Sequence, residues 1–206
     1  MIKPYTLTRE GRYIGLPLGF GFLGASYALS AIAYAQPNFY DSDLNGIKWA
    51  QLLFRAFSFV FLAVAYYFSK KPSKNTRYLW DIVFSGLFVC LAALFLLFLV
   101  APQIPLSNYQ TLNIFIRVLN IVCLSYIFIH CFREHAKEPE PISIWVITGY
   151  AIFGLSQFLY LVLYFYFGAP GSFAFWVSIA LRLTSLAIFL YATYQTFYQF
   201  GKGSKK

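Results

Sequence analysis

Three arginines lie inside long apolar stretches of the sequence, and each has the same kind of polar neighbours. Aligned on the arginine, the segments read QLLFRAFS (51–58), NIFIRVLN (113–120) and SIALRLTS (178–185). Each has a polar residue four positions before the arginine and Ser or Asn three positions after it, a spacing that places all three on one helical face. We call these sets the arginine triads, and they are the candidate ligand-binding residues: Gln51, Arg55, Ser58, Asn113, Arg117, Asn120, Ser178, Arg182 and Ser185.

The chemistry of these residue types is the recognition of negative charge. A guanidinium presents five N–H donors in a planar fork that matches carboxylate and phosphate oxygens. A cation in the hydrocarbon of a bilayer costs at least about 2.5 kcal/mol, so three of them need a reason to be there. The acidic residues all lie in loops or near the ends of the apolar stretches: Glu10, Asp41, Asp43, Asp81, Glu134, Glu138 and Glu140.

Three interpretations of the arginines follow from the sequence. They could hydrogen-bond backbone carbonyls and their polar neighbours, which would make them helix-packing groups. They could bind an anion such as a carboxylate, a phosphate or a lipid headgroup. They could instead meet acidic side chains of another membrane subunit. Like charges repel strongly in a low-dielectric interior, so a counter-anion or a charged partner would relieve a cluster of arginines.

The composition predicts an all-α integral membrane protein. Of 206 residues, 60% are hydrophobic and only 11% are charged, against about a quarter charged in soluble domains. Six stretches are long enough to be transmembrane helices, and they leave no room for a separate soluble domain. The predicted spans are Tyr13–Ala35, Ile47–Phe68, Leu79–Ala101, Tyr109–Phe132, Ile142–Phe167 and Phe173–Phe197.

The basic residues predict the orientation of these spans. Most of them lie in the N-terminal segment, the loops after the second and fourth spans, and the C-terminal tail, which share one side if there are six spans. This is the positive-inside pattern, so both termini are expected in the cytoplasm and the protein in the cell membrane. The net charge of +9 is therefore assigned to topology and to anionic lipid, with no nucleic-acid partner.

The triads also indicate an internal repeat. The arginines stand in the second, fourth and sixth spans, and the odd-numbered spans carry the weaker pattern FLGAS (22–26), FVCLA (88–92) and IFGLS (152–156). Successive two-span hairpins have the same orientation, so the repeats are parallel and related by an axis along the membrane normal. We therefore predict one transmembrane domain, 1–206, built as a pseudo-threefold bundle of hairpins 13–68, 79–132 and 142–197.

No catalytic, metal or cofactor site is predicted. His130, Cys131 and His135 provide too few ligands at the right spacing for a closed metal site. The segments GAS (24–26) and GLS (154–156) do not complete the G-x-S-x-G nucleophile motif, and helix-packing roles are expected for them. Without an intramembrane carboxylate, a proton or cation pump is also not favoured.

The leading functional prediction is a non-catalytic membrane protein: a sensor, a scaffold or an accessory subunit of a larger membrane complex. The alternative is an anion or small-molecule transporter or channel, in which the arginines line a site open to the outside. An enzyme acting on lipid headgroups ranks below both, because no general base or nucleophile is placed beside the arginines. The expected partners are the bilayer and either other membrane subunits or an anionic ligand or lipid.

Overall fold

A computed structural model describes residues 15–35, 41–68, 74–100, 109–137, 139, 141–167 and 172–203. These residues form six α-helices joined by short connections. In chain order the helices are α1 Gly15–Ala35, α2 Asp41–Phe68, α3 Lys74–Val100, α4 Tyr109–Lys137, α5 Pro141–Phe167 and α6 Ser172–Gly203.

The helices confirm the predicted class of helical membrane protein. A helix satisfies every interior backbone N–H and C=O within its own segment, which is what a lipid environment requires. Proline also stands where it is tolerated, because Pro141 begins α5, where its missing N–H leaves no bond unmade. Five helices contain stretches long and apolar enough to cross a membrane: Gly46–Phe68, Tyr78–Leu96, Thr111–Lys137, Ser143–Tyr166 and Trp176–Thr196.

The first helix, α1, is 21 residues long, and the apolar stretch among its described side chains is Leu16–Ile32. Several helices also extend beyond the predicted bounds, because their ends carry polar residues that a search for apolar runs leaves out. For example, α2 begins at Asp41 and α4 continues to Lys137.

The chain forms two compact units, Met1–Leu119 and Asn120–Lys206, and the division falls inside α4. In the first unit α1 packs along α2, while α3 packs more sparsely against α2. In the second unit α5 packs along α6. Among the described residues, α3 and α4 do not form a third close pair of this kind. The single domain of three hairpins stays a prediction.

Aromatic rings fill the interior of the first unit. Phe61 of α2 is fully buried, and its ring centroid lies 5.4 Å from that of Phe22 in α1 and 5.3 Å from those of Phe84 and Phe88 in α3. Offset and edge-on ring pairs at such distances contribute about 0.5–1.5 kcal/mol beyond their burial. Phe61 therefore joins three helices in one contact group.

One glycine in each close helix pair allows the two backbones to approach. A Cβ added at Gly19 would lie 2.6 Å from Cγ of Leu62 and 3.2 Å from the Ser58 carbonyl oxygen. A Cβ added at Gly149 would lie 2.8 Å from the ring of Phe189. Each of these two glycines therefore lies at a close contact between paired helices.

The two close pairs use equivalent positions. Gly149 follows Gly19 by 130 residues, which is also the spacing between the FLGAS and IFGLS segments. Phe189 follows Leu62 by 127 residues, which is the spacing between Arg55 and Arg182. The same pair of helix positions is therefore in contact in the first and third hairpins, although a leucine fills one contact and a phenylalanine the other.

Alanine at either glycine tests this packing. We expect Gly19→Ala and Gly149→Ala each to destabilise the protein by about 1–3 kcal/mol, the usual penalty for overfilling a packed interior. The measurement is thermal or denaturant unfolding of the purified protein in detergent. Gly21→Ala and Gly24→Ala are the matched controls, since an added Cβ at either position meets nothing within 4 Å. Equal stability of all four variants would contradict the close approach.

Candidate functional site

The three arginines are buried, one on each even-numbered helix. Arg55 of α2 and Arg117 of α4 are 5% exposed, and Arg182 of α6 is 7% exposed. Four further triad residues are buried with them, while Gln51 and Asn113 are half-buried. The buried members are Arg55, Ser58, Arg117, Asn120, Ser178, Arg182 and Ser185. The polar stripe predicted from sequence spacing is therefore an interior face.

The opposite faces of the same helices are apolar and exposed. In α4, Arg117 and Asn120 are buried, whereas Phe115 is 66% and Val122 is 61% exposed. A soluble helix places these classes the other way round, with its charges outward. Exposed apolar side chains in contact with lipid and polar ones inside are what a membrane-spanning helix requires.

The serines of the triads donate their hydrogen bonds to backbone carbonyls. Ser58 Oγ donates to the Arg55 carbonyl of its own helix at 2.8 Å. Ser178 and Ser185 of α6 reach across to α5, where their hydroxyls donate to the carbonyls of Ser156 at 3.2 Å and Gly149 at 2.8 Å. Small hydroxyl side chains commonly join transmembrane helices in this way. The sequence predicts these three residues as ligand-binding groups; in the structure their hydroxyls donate to backbone carbonyls.

The first hairpin has an equivalent bond with the donor on the other helix. Ser26 Oγ of α1 donates to the Gln51 carbonyl of α2 at 3.0 Å. Ser26 corresponds to Ser156 in the odd-helix pattern, and Gln51 corresponds to Ser178 in the triads. The same two positions are thus bonded in both hairpins. Ser26 and Ser156 are both fully buried, as expected of helix-packing residues.

The guanidinium of Arg117 is oriented by its own triad. Its Nε donates to Oδ1 of Asn113 at 3.3 Å, one turn earlier in α4. Asn113 therefore fixes one edge of the fork without supplying a negative charge. In α2, the Nε of Arg55 is buried and has no hydrogen-bond partner among the residues that the structure describes. The bond from Arg117 to Asn113 is therefore one to a neutral amide.

Acidic residues are scarce in the spans that hold the arginines. The sequences of Gly46–Phe68 and Trp176–Thr196 contain no Asp or Glu. Thr111–Lys137 contains only Glu134, which lies 17 residues beyond Arg117 and so about 25 Å along the helix. No triad therefore has a carboxylate on its own helix within side-chain reach.

One buried polar residue was missed in the sequence. Gln157 of α5 is fully buried, directly after Ser156. The signal was present, since Gln157 is the only amide side chain in α5. It has no place in the arginine triads, because α5 contains no arginine. Gln157 adds a hydrogen-bonding group to the interior of the second unit.

No protein-family model, curated protein or solved structure matches this chain. The function must therefore be inferred from the residues and geometry of the site.

Because these serines bond backbone carbonyls, we expect their removal to lower stability and to leave anion binding unchanged. We expect Ser178→Ala and Ser185→Ala each to lower the free energy of unfolding by about 1 kcal/mol, because each removes a buried hydrogen bond between α5 and α6. Anion binding, measured by calorimetry on the same preparations, should stay within about twofold of the wild type. Thr184→Ala is the control, since Thr184 is exposed and bonds only its own helix at Ala180. A serine variant of normal stability that fails to bind anions would reverse this assignment.

Proposed function

We propose that this chain is a non-catalytic, multi-pass membrane protein that binds an anion through its buried arginines and acts as a sensor or transporter. The observation that carries the proposal is the burial of Arg55, Arg117 and Arg182, each at most 7% exposed, on spans without a nearby carboxylate. A buried charge is stable only when it is paired or fully hydrogen-bonded. Binding of an anion at these positions pairs the guanidinium charge.

The burial of the arginines argues against contact with another subunit's acids as their role. A carboxylate on a neighbouring subunit's helix could reach only side chains at the lipid-facing surface. The arginines lie on the opposite side of their helices, away from exposed residues such as Phe115 and Leu183. A small anion can enter the interior of a helical protein, whereas a partner's helix cannot do so without separating the helices. The buried arginines therefore do not support a role as a scaffold or accessory subunit.

The hydrogen bonds described between paired helices are made by serines, which weakens the helix-packing interpretation of the arginines. The bonds between α1 and α2 and between α5 and α6 come from serines. A neutral amide would hydrogen-bond the neighbouring helix as well as a guanidinium does, without the cost of a buried charge. Catalysis also receives little support, because the triads contain no carboxylate, histidine or cysteine to act as a general base or nucleophile.

The finer topology is part of the same proposal. We propose six spans in three hairpin repeats, with both termini on the cytoplasmic face of the cell membrane. Helix α1 supports a sixth span, since its 21 residues extend about 31 Å, close to the thickness of the hydrocarbon core. It also packs along α2, which is a full span. The shared contacts of the first and third hairpins support the repeat.

Charge removal tests the anion site. We expect the triple variant Arg55→Gln, Arg117→Gln and Arg182→Gln to lose anion binding by at least about tenfold, because a hydrogen bond to a charged group contributes about 1.5–3 kcal/mol. The measurement is isothermal titration of the purified protein with phosphate, sulfate, chloride and acetate. Flux of the bound anion into proteoliposomes then separates a transporter from a sensor that binds without transport.

The control for this experiment is Arg133→Gln. Arg133 is exposed at the end of α4, so its removal changes the net charge without touching the triads. Binding that persists in the triple variant, or that is lost equally in Arg133→Gln, would contradict the proposed site.

Accessibility labelling tests the topology. Single cysteines at Lys3 and Lys205, in a background where Cys90, Cys123 and Cys131 are replaced by alanine, would be treated with a membrane-impermeant maleimide in intact cells and in lysed cells. Six spans place both positions inside, so both should react only after lysis. A five-span chain would expose one of the two in intact cells.

A further inference from the structure

Two polar groups of the first hairpin are buried without a hydrogen-bond partner. They are the hydroxyl oxygen of Tyr27 in α1 and the Nε of Arg55 in α2, and neither has a partner among the residues that the structure describes. The Arg55 side chain is only 5% exposed. Both residues belong to the first compact unit. A buried donor without a partner is unfavourable and rare in folded proteins, so each of the two requires an explanation.

The packing of α1 against α2 brings Tyr27 and Arg55 to nearby levels. The two helices run antiparallel, as their glycine and serine contacts show. At the serine contact, Ser26 bonds the Gln51 carbonyl. Tyr27 directly follows Ser26, and Arg55 lies one turn beyond Gln51. Because side chains lean toward the N-terminus of their own helix, Tyr27 leans toward the level of Arg55 and Arg55 leans toward the level of Tyr27.

The two side chains also turn to the same side of the helix pair. The rings of Phe22 in α1 and Phe54 in α2 are stacked on each other, and both contact phenylalanines of α3. At 3.6 residues per turn, Tyr27 lies about 140° around α1 from Phe22, and Arg55 lies about 100° around α2 from Phe54. Because the helices are antiparallel, both rotations turn the side chains away from α3. A ligand on that side of the pair can therefore contact both groups.

We propose that Tyr27 and Arg55 together bind a carboxylate, and that Tyr27 is a ligand-binding residue outside the arginine triads. This inference rests on the proposed anion-binding function, to which it adds a binding residue and the chemical class of the ligand. The guanidinium donates from Nε and from the terminal nitrogen beside it to the two carboxylate oxygens. The Tyr27 hydroxyl donates to one of these oxygens, each of which accepts two hydrogen bonds. Both buried groups are then satisfied.

The charge and shape of the site favour a carboxylate over other anions. The sequence of α1 contains no charged residue, and the apolar span of α2 contains only Lys48 and Arg55. A carboxylate neutralises the single guanidinium at this depth, whereas sulfate would leave a net negative charge in a low-dielectric interior. Chloride balances the charge but has no pair of oxygens to match the planar fork of the guanidinium.

The depth of Arg55 favours a small free carboxylate over a fatty acid. Arg55 lies nine residues beyond Gly46, where the apolar span of α2 begins, and so about 14 Å along the helix. A fatty acid keeps its carboxylate at the membrane surface, because a charge in hydrocarbon is costly. Lys48 is half-buried two turns before Arg55, on nearly the same side of α2, and attracts a free anion toward the site. The two sources share the same recognition chemistry, and the experiment separates them.

The test is isothermal titration of the full-length protein at neutral pH with acetate, sulfate and chloride. Tyr27→Phe removes only the hydroxyl, and Arg55→Lys keeps the charge but lacks the planar fork. The control is Tyr78→Phe, the same substitution at a tyrosine of α3 that is 70% exposed. Each titration is repeated in the double variant Arg117→Gln and Arg182→Gln, so that binding at the other triads is not counted. Nanodiscs containing oleate serve as the competitor for bound acetate.

The site should bind acetate at least about tenfold more tightly than sulfate or chloride, because only acetate matches both the charge and the fork. Tyr27→Phe should weaken acetate binding by at least about tenfold, because a hydrogen bond to a charged group is lost. Its melting temperature without ligand should not fall, since the hydroxyl had no partner. Arg55→Lys should bind acetate and chloride alike. Displacement of acetate by oleate would keep the chemistry and assign the site to a fatty acid, whereas no displacement assigns it to a free carboxylate.

Three results would overturn the inference. Acetate affinity that is unchanged in Tyr27→Phe, or reduced equally in Tyr78→Phe, removes Tyr27 from the site. A lowered melting temperature of ligand-free Tyr27→Phe makes this tyrosine a packing residue. A preference for sulfate or chloride over acetate removes the carboxylate as the ligand. In each case, anion binding that is lost with the arginines leaves the proposed function intact. If the wild type binds no anion at all, the proposed function fails, and this inference fails with it.

Discussion

A guanidinium inside a membrane-spanning helix must find both hydrogen-bond acceptors and negative charge within the protein, because lipid supplies neither. This constraint explains the orientation of the even-numbered helices. Each turns its arginine inward, while apolar side chains such as Phe115 and Leu183 remain exposed. The polar groups nearest to each arginine in its own triad are neutral amides and hydroxyls. The acceptors are thus partly supplied by the chain, and in the proposed function the negative charge comes from a bound anion.

The close helix pairs set the position of two of these arginines. A glycine at the contact brings the backbones together, at Gly19 in the first hairpin and Gly149 in the third. A serine hydroxyl then bonds across the pair, about two turns from the glycine along α1 or α5. Together the two contacts fix both the register and the rotation of the paired helices. Arg55 and Arg182 lie between these contacts along their helices and are therefore buried at equivalent positions.

The sequence was sufficient to predict the buried face that carries the arginines, and it was insufficient to predict what the polar residues bond. Charge and hydrogen-bonding capacity in an apolar helix force burial, so the spacing of four and three found the buried face of α2, α4 and α6. The bond from Ser185 to the Gly149 carbonyl depends on the rotation of two helices about each other, which no local pattern encodes. Gln157 was missed because it stands alone, without the periodic neighbours that identified the triads.

The interpretations of the arginines differ in what they require: helix packing requires only hydrogen bonds, whereas anion binding requires a positive charge. Helix packing needs donors and acceptors, and Ser26, Ser178 and Ser185 provide them with short, neutral side chains. An arginine at the same depth adds a longer side chain and a charge that opposes insertion by about 2.5 kcal/mol or more. It gives no packing advantage that glutamine lacks. What the charge does provide is strong attraction for an anion in a medium where such attraction is weakly screened. This difference is why we propose an anionic ligand for the buried arginines and not a role in helix packing.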